Sequence, residues 1–139
     1  MKKTVLFCLI LLVSAVLPAR AGSIIVVAHT DVPVSVLSGD ELQRIFLGKK
    51  TFWSGGRRIV PVCLKRGGTH ESFLKSYMDM NVSQFDIFWR QAVFVGTGTP
   101  PAAFGSEREV IDFVRKTPGG VGYVDSSNVQ GELKIIKVK

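Results

Sequence analysis

Arg66-Gly67-Gly68-Thr69-His70 is the stretch of this chain whose residue types are best suited to hold an anion. Two glycines let the backbone approach a ligand closely. The free N–H groups of a first helical turn point outward, Thr69 adds a hydroxyl and Arg66 a guanidinium. Thr97 and Thr99 supply two further hydroxyls from the loop Gly96-Thr97-Gly98-Thr99-Pro100-Pro101. That loop contains a Gly-x-Gly but lacks the third glycine and the preceding strand of a dinucleotide fingerprint, so nucleotide binding is not expected. The same Gly-Gly-Thr pattern also serves as an ordinary helix start with a flexible approach.

Covalent or metal chemistry has fewer candidates. His29 and His70 are the two histidines, and with Cys63 they make three potential ligands whose spacing matches no metal motif. No metal and no cofactor is therefore expected. There is no nucleophile elbow, no paired-carboxylate motif and no Cys-His spacing, which predicts a protein that is not an enzyme. The rival from another class is a thiol or metal enzyme using Cys63 and His70. Cys63 lies in the apolar run Ile59 to Leu64, where a thiol is expected to be buried and inert; solvent exposure would favour the rival.

The elements that must position these residues follow from periodicity and punctuation. Ser23 to Ala28 is a β-branched run and reads as a first strand, followed by a connector or edge strand over Val32 to Leu37 that Pro33 interrupts. Ser38 and Glu41 form an S-x-x-E capping box for a helix from Gly39 to Leu47, whose Leu42, Ile45 and Phe46 share one face and whose end is marked by Gly48. Lys49 to Arg58 is a loop. Ile59 to Leu64 is a second strand, which Pro61 places at an edge or a bulge. Gly67-Gly68-Thr69 opens a helix through about Met78, and Ser83 caps the next one, to about Phe94, with Phe85, Phe88, Trp89 and Ala92 as a core stripe. Ser106 and Glu109 predict a third box for a helix ending at Lys116, with Val110, Phe113 and Val114 inward. The turn Thr117-Pro118-Gly119-Gly120 leads into a strand over Val121 to Val124, and Leu133 to Val138 is the last strand. Phe46, Trp53, Phe73, Phe88, Trp89 and Phe113 are expected to share one core.

Strands alternating with helices predict an α/β layered domain with a mostly parallel sheet flanked by helices. The wording of several segments adds a family resemblance. Glu41-Leu42 and Ile45-Phe46-Leu47-Gly48-Lys49, followed by Phe52-Trp53, resemble the start of one lobe in bacterial phosphate-importer binding proteins of the type 2 periplasmic solute-binding superfamily. Thr117-Pro118-Gly119-Gly120-Val121-Gly122-Tyr123-Val124 resembles that family's Thr-Pro-Gly-x-Ile-Gly-Tyr-Val element. The resemblance implies a single lobe of a type 2 periplasmic-binding-protein-like fold and a non-catalytic solute-binding module. Its ligand would be phosphate or a similar oxyanion, held by Arg66, Gly67, Gly68, Thr69, Thr97 and Thr99. Family members that bind phosphate are two-lobed and grip the anion with an Arg-x-x-x-Ser-Gly-Thr helix start. Here Gly68 and Thr69 match, Gly67 replaces the Ser and the Arg is missing, so an alternative is a ligand-free protein-docking module. A single lobe implies that a protein partner or a homodimer supplies the second wall.

Both the ends and the charge bear on location. Lys2 and Lys3 precede the uncharged run Thr4 to Pro18, and Ala19-Arg20-Ala21 offers small residues for cleavage, the pattern of a secretory signal over residues 1–21. The run falls short of the ~20 apolar residues of a bilayer span. The expectation is a periplasmic domain over residues 22–139 with no membrane span after cleavage. Cleavage would lower the formal charge from +7 to +4, since three of the 18 basic residues and none of the 11 acids lie in that segment. Nucleic acid is not an expected partner, because export separates the chain from it and no recognition motif is present. One cysteine in the remaining domain allows no internal disulfide, so stability must come from the core.

Overall fold

The computed structural model of the protein describes residues 22–139; the expected secretory signal lies outside them. Six strands form one sheet in the order β2-β6-β1-β5-β3-β4. They are β1 (Ile24–Ala28), β2 (Val36–Leu37), β3 (Val60–Leu64), β4 (Ala102–Phe104), β5 (Gly120–Asp125) and β6 (Lys134–Val138). Pairings β2/β6, β3/β5 and β3/β4 are parallel, whereas β1 runs antiparallel to both β5 and β6. The helices are α1 (Gly39–Phe46), α2 (Gly68–Phe73), α3 (Val82–Phe94) and α4 (Glu107–Lys116), with a π-helical stretch Leu74–Met78 extending α2. This is the α/β single-lobe architecture that the alternation of strands and helices predicts.

Local chemistry accounts for most element ends. Ser38 Oγ accepts from Glu41 N–H at 3.1 Å, and Ser106 Oγ from Glu109 N–H at 3.2 Å, so α1 and α4 start where expected. Neither Glu side chain returns the bond, so only half of each anticipated box forms. The reciprocal box belongs to α3, and Asn81 rather than Ser83 caps that helix: Asn81 Oδ1 accepts from Gln84 N–H at 2.8 Å and Gln84 Oε1 accepts from Asn81 N–H at 2.9 Å. Pro61 needs a second correction. β3 is not an edge strand, but Pro61 pairs only with Val121 of β5, because β4 begins opposite Val62; the missing proline N–H therefore costs no ladder bond on the other side.

The core fills the space between the sheet and its helices. Tyr123 stacks on Phe73 with centroids 3.7 Å apart and an interplanar angle of 6°, while the Phe46 ring meets Phe73 edge-on at 5.0 Å. Val110 and Val114 of α4 press on β5 at Gly122, where a methyl group would come within 2.8 Å of Val62 and 3.0 Å of Val110. Only glycine permits that close helix-to-sheet approach. Trp53 and Trp89 are buried as expected, whereas Phe88 and Phe113 are half-buried at the margin of the same core. Ile111 takes the buried position on α4, and Phe113 packs instead on Phe104 at 5.2 Å.

Candidate functional site

Gly67 ends the loop after β3 with φ 103° and ψ 171° and leads into α2 without a side-chain cap. No other atom lies within 4 Å of where a Cβ would stand on Gly67 or Gly68, so this helix start faces open space. Arg66 is exposed beside it. Thr69 is half-buried, and its hydroxyl donates to Glu107 Oε2 at 3.2 Å. The other oxygen of that carboxylate accepts from Asp125 N–H at 2.5 Å. Thr69 thus ties α2 to α4 and β5, and it brings a negative charge to the helix start. Thr97 caps α3 instead, its N–H and hydroxyl both directed at Ala92 O, at 2.9 and 3.4 Å. It faces a different concavity, shared with Phe88 and Phe94. Thr99 is exposed on the loop between.

Directly behind the helix start lies a buried polar pair. His70 Nδ1 is 2.5 Å from Tyr123 Oη, which also accepts from Leu64 N–H at 3.1 Å. Burial lowers the His70 pKa from 6.5, against the opposing pull of Asp86 and Glu71, so the imidazole is neutral at pH 7. Burial pushes the Cys63 thiol up to about 12, and the same desolvation raises the Tyr123 phenol above its ordinary value. A thiol that keeps its proton and is shielded from solvent is a poor nucleophile, which weighs against the thiol-enzyme alternative. Among the described residues no group of three His, Cys, Asp or Glu side chains is placed to hold a metal ion.

His29 belongs to a cluster that sequence reasoning missed. Asp31 Oδ1 lies 2.7 Å from His29 Nδ1 and accepts from Gly119 N–H at 3.1 Å, while Oδ2 lies 2.8 Å from Arg57 Nε. Partial burial would raise the Asp31 pKa, but the Gly119 N–H, His29 and Arg57 outweigh it and hold the carboxyl below its ordinary 3.8. Trp53 Nε1–H donates to Gly119 O at 3.0 Å, closing the cluster over the turn before β5. Three segments far apart in sequence meet at this point, and nothing in the local pattern of any one of them announces it. A further surface feature lies at the end of α3, where Val93, Phe94 and Val95 are exposed, Phe94 to 90%.

The fold matches solved structures of phosphate-binding proteins. A Clostridium perfringens protein described as a phosphate ABC transporter substrate-binding protein, solved with phosphate bound, superposes with a TM-score of 0.67 at 20% identity, over 84% of this chain and 45% of that one. An ABC-type phosphate transport receptor from Vibrio cholerae gives 0.66 at 16% identity, over 84% and 46%. PstS from Borrelia burgdorferi gives 0.67 at 16%, over 85% and 47%. The chain therefore spans less than half the length of these proteins and has the fold of one lobe of them. No family model matches the sequence, and neither does any curated protein.

Proposed function

We propose that the chain is a non-catalytic solute-binding-like module of the periplasm, one lobe of a phosphate-binding architecture that receives a small oxyanion such as phosphate at Arg66, Gly67, Gly68 and Thr69. The observation that carries this reading is the fold match to half of a protein solved with phosphate bound. The open Gly67-Gly68 backbone supports it, because N–H groups there are free to meet an anion. Thr97 and Thr99 complete the proposed ligand set only if the 96–101 loop moves toward α2, since Thr97 is held by Ala92. Glu107 opposes the anion and sets a weak, salt-sensitive affinity. Export through residues 1–21 places the module where such solutes are captured.

One lobe cannot close over a ligand by itself, so the second wall comes from a protein partner or a second copy. The exposed Val93-Phe94-Val95 end of α3 favours a second reading, a protein-docking module without a ligand. Calorimetric titration of phosphate into the wild type and an Arg66→Ala, Thr69→Ala double variant separates the two. Saturable heat in the wild type that the double variant loses supports oxyanion binding. No heat at millimolar phosphate overturns it in favour of docking.

A further inference from the structure

Trp89 is 6% exposed, and its Nε1 is buried without a hydrogen-bond partner. Buried indole N–H groups usually find an acceptor, so this one needs an explanation. The far edge of the ring is fixed: a methyl group at Gly48 would come within 2.8 Å of Cη2, and one at Gly98 within 3.2 Å of Cζ3. The pyrrole side therefore faces away from those glycines. Trp89 also lines a cavity of about 180 Å³ between the end of β3, α2, α3 and the start of β4, together with His70, Phe85, Pro101 and Ala103. At roughly 30 Å³ per liquid water, that is room for a molecule of a few heavy atoms.

His70 contributes the second polar group of this wall. Its Nδ1 is occupied by the Tyr123 hydroxyl, which itself accepts from Leu64 N–H and so has its own proton to give. A neutral ring that accepts at Nδ1 carries its proton on Nε2, the nitrogen left over. Two donors thus line the cavity. Lys65 and Asp86 stand at its rim with opposite charges, which leaves no cation in excess for a doubly charged ligand. The remaining walls are apolar.

We propose that this cavity is a binding site for a small monocarboxylate, its two oxygens accepting from Trp89 Nε1–H and His70 Nε2–H and its short alkyl tail lying against Phe85, Pro101 and Ala103. The site is separate from the oxyanion reading at Gly67 to Thr69 and does not rest on it. The test is a titration of the 15N-labelled chain with butyrate and, separately, with phosphate, followed at the two indole N–H resonances. Trp53, bonded to Gly119 O, is the internal control. Butyrate should move the Trp89 indole signal saturably in the range of roughly 1–10 mM while Trp53 stays still. Phosphate should leave Trp89 unmoved even where it shifts the Gly67 to Thr69 amides, so failure at one site is read independently of the other. Trp89→Phe should weaken butyrate binding at least tenfold by calorimetry. Ala103→Leu, at a solvent-facing position on β4, should fill the cavity and abolish the indole shift with the melting temperature retained. A still Trp89 signal, an equal response to phosphate, or a shift that survives Ala103→Leu in the folded protein would overturn the proposal.

Discussion

At Gly119 a side chain has nowhere to go: φ is 78°, and a Cβ would stand 2.2 Å from Arg58 O. The same residue gives its N–H to Asp31 and its carbonyl to Trp53, so replacing it disturbs three segments at once. Gly119→Ala should cost at least ~1–3 kcal/mol from backbone strain alone, read as a lowered midpoint in urea. Asp31 gives a test with a pH signature. Its folded pKa is depressed, so its contribution is present above the unfolded value of 3.8 and is lost as pH falls through the lower folded value. The stability gap between wild type and Asp31→Asn should therefore be widest near neutral pH and narrow below about pH 4. His70 has the opposite chemistry with the same acid-side direction. A buried base with a lowered pKa leaves the unfolded state holding more protons below pH 6.5, so stability falls as pH drops from there. His70→Gln should remove that part of the slope; an unchanged slope would show that another group carries it.

Elements were legible where their signals are local. The Ser38 start of α1, the Ser106 start of α4 and the Thr117 to Gly120 turn all read directly, because a cap or a turn depends on residues within four positions. Asn81-x-x-Gln84 carried the same kind of signal, hidden by Ser83 two residues on. Replacing Asn81 by Ala should cost about 1 kcal/mol, whereas Ser83→Ala should be close to neutral, measured by thermal unfolding. β4 was missed because Ala102-Ala103-Phe104 is too short to show alternation; its strand character comes from pairing with β3. The Asp31 cluster and the Thr69–Glu107 bond were invisible for the same reason, since each joins residues that only the folded chain brings together. The π-helical stretch at Leu74–Met78 has no local signature that we recognise in its sequence. Within α3 the core stripe is real, and Trp89→Ala should destabilise by ~3–5 kcal/mol, with unchanged melting as the contrary result.

For the whole molecule, the sheet order and the likeness to half of several phosphate-binding proteins define a lobe whose proposed ligand surface is open on one side. The central claim is that this single lobe still receives an oxyanion at its α2 start. Its weakest point is the Glu107 carboxylate beside Thr69, which is also the most useful handle. Removing that charge while keeping the hydrogen-bond geometry should tighten anion binding if the seat is real. The most direct measurement is a phosphate titration of the 15N-labelled wild type and Glu107→Gln proteins, mapped on the backbone amides. The account predicts saturable shifts centred on Gly67, Gly68 and Thr69, weak in the wild type and several-fold tighter in Glu107→Gln, diminishing with added salt. Amides at α2 that stay still in both proteins at millimolar phosphate would contradict it.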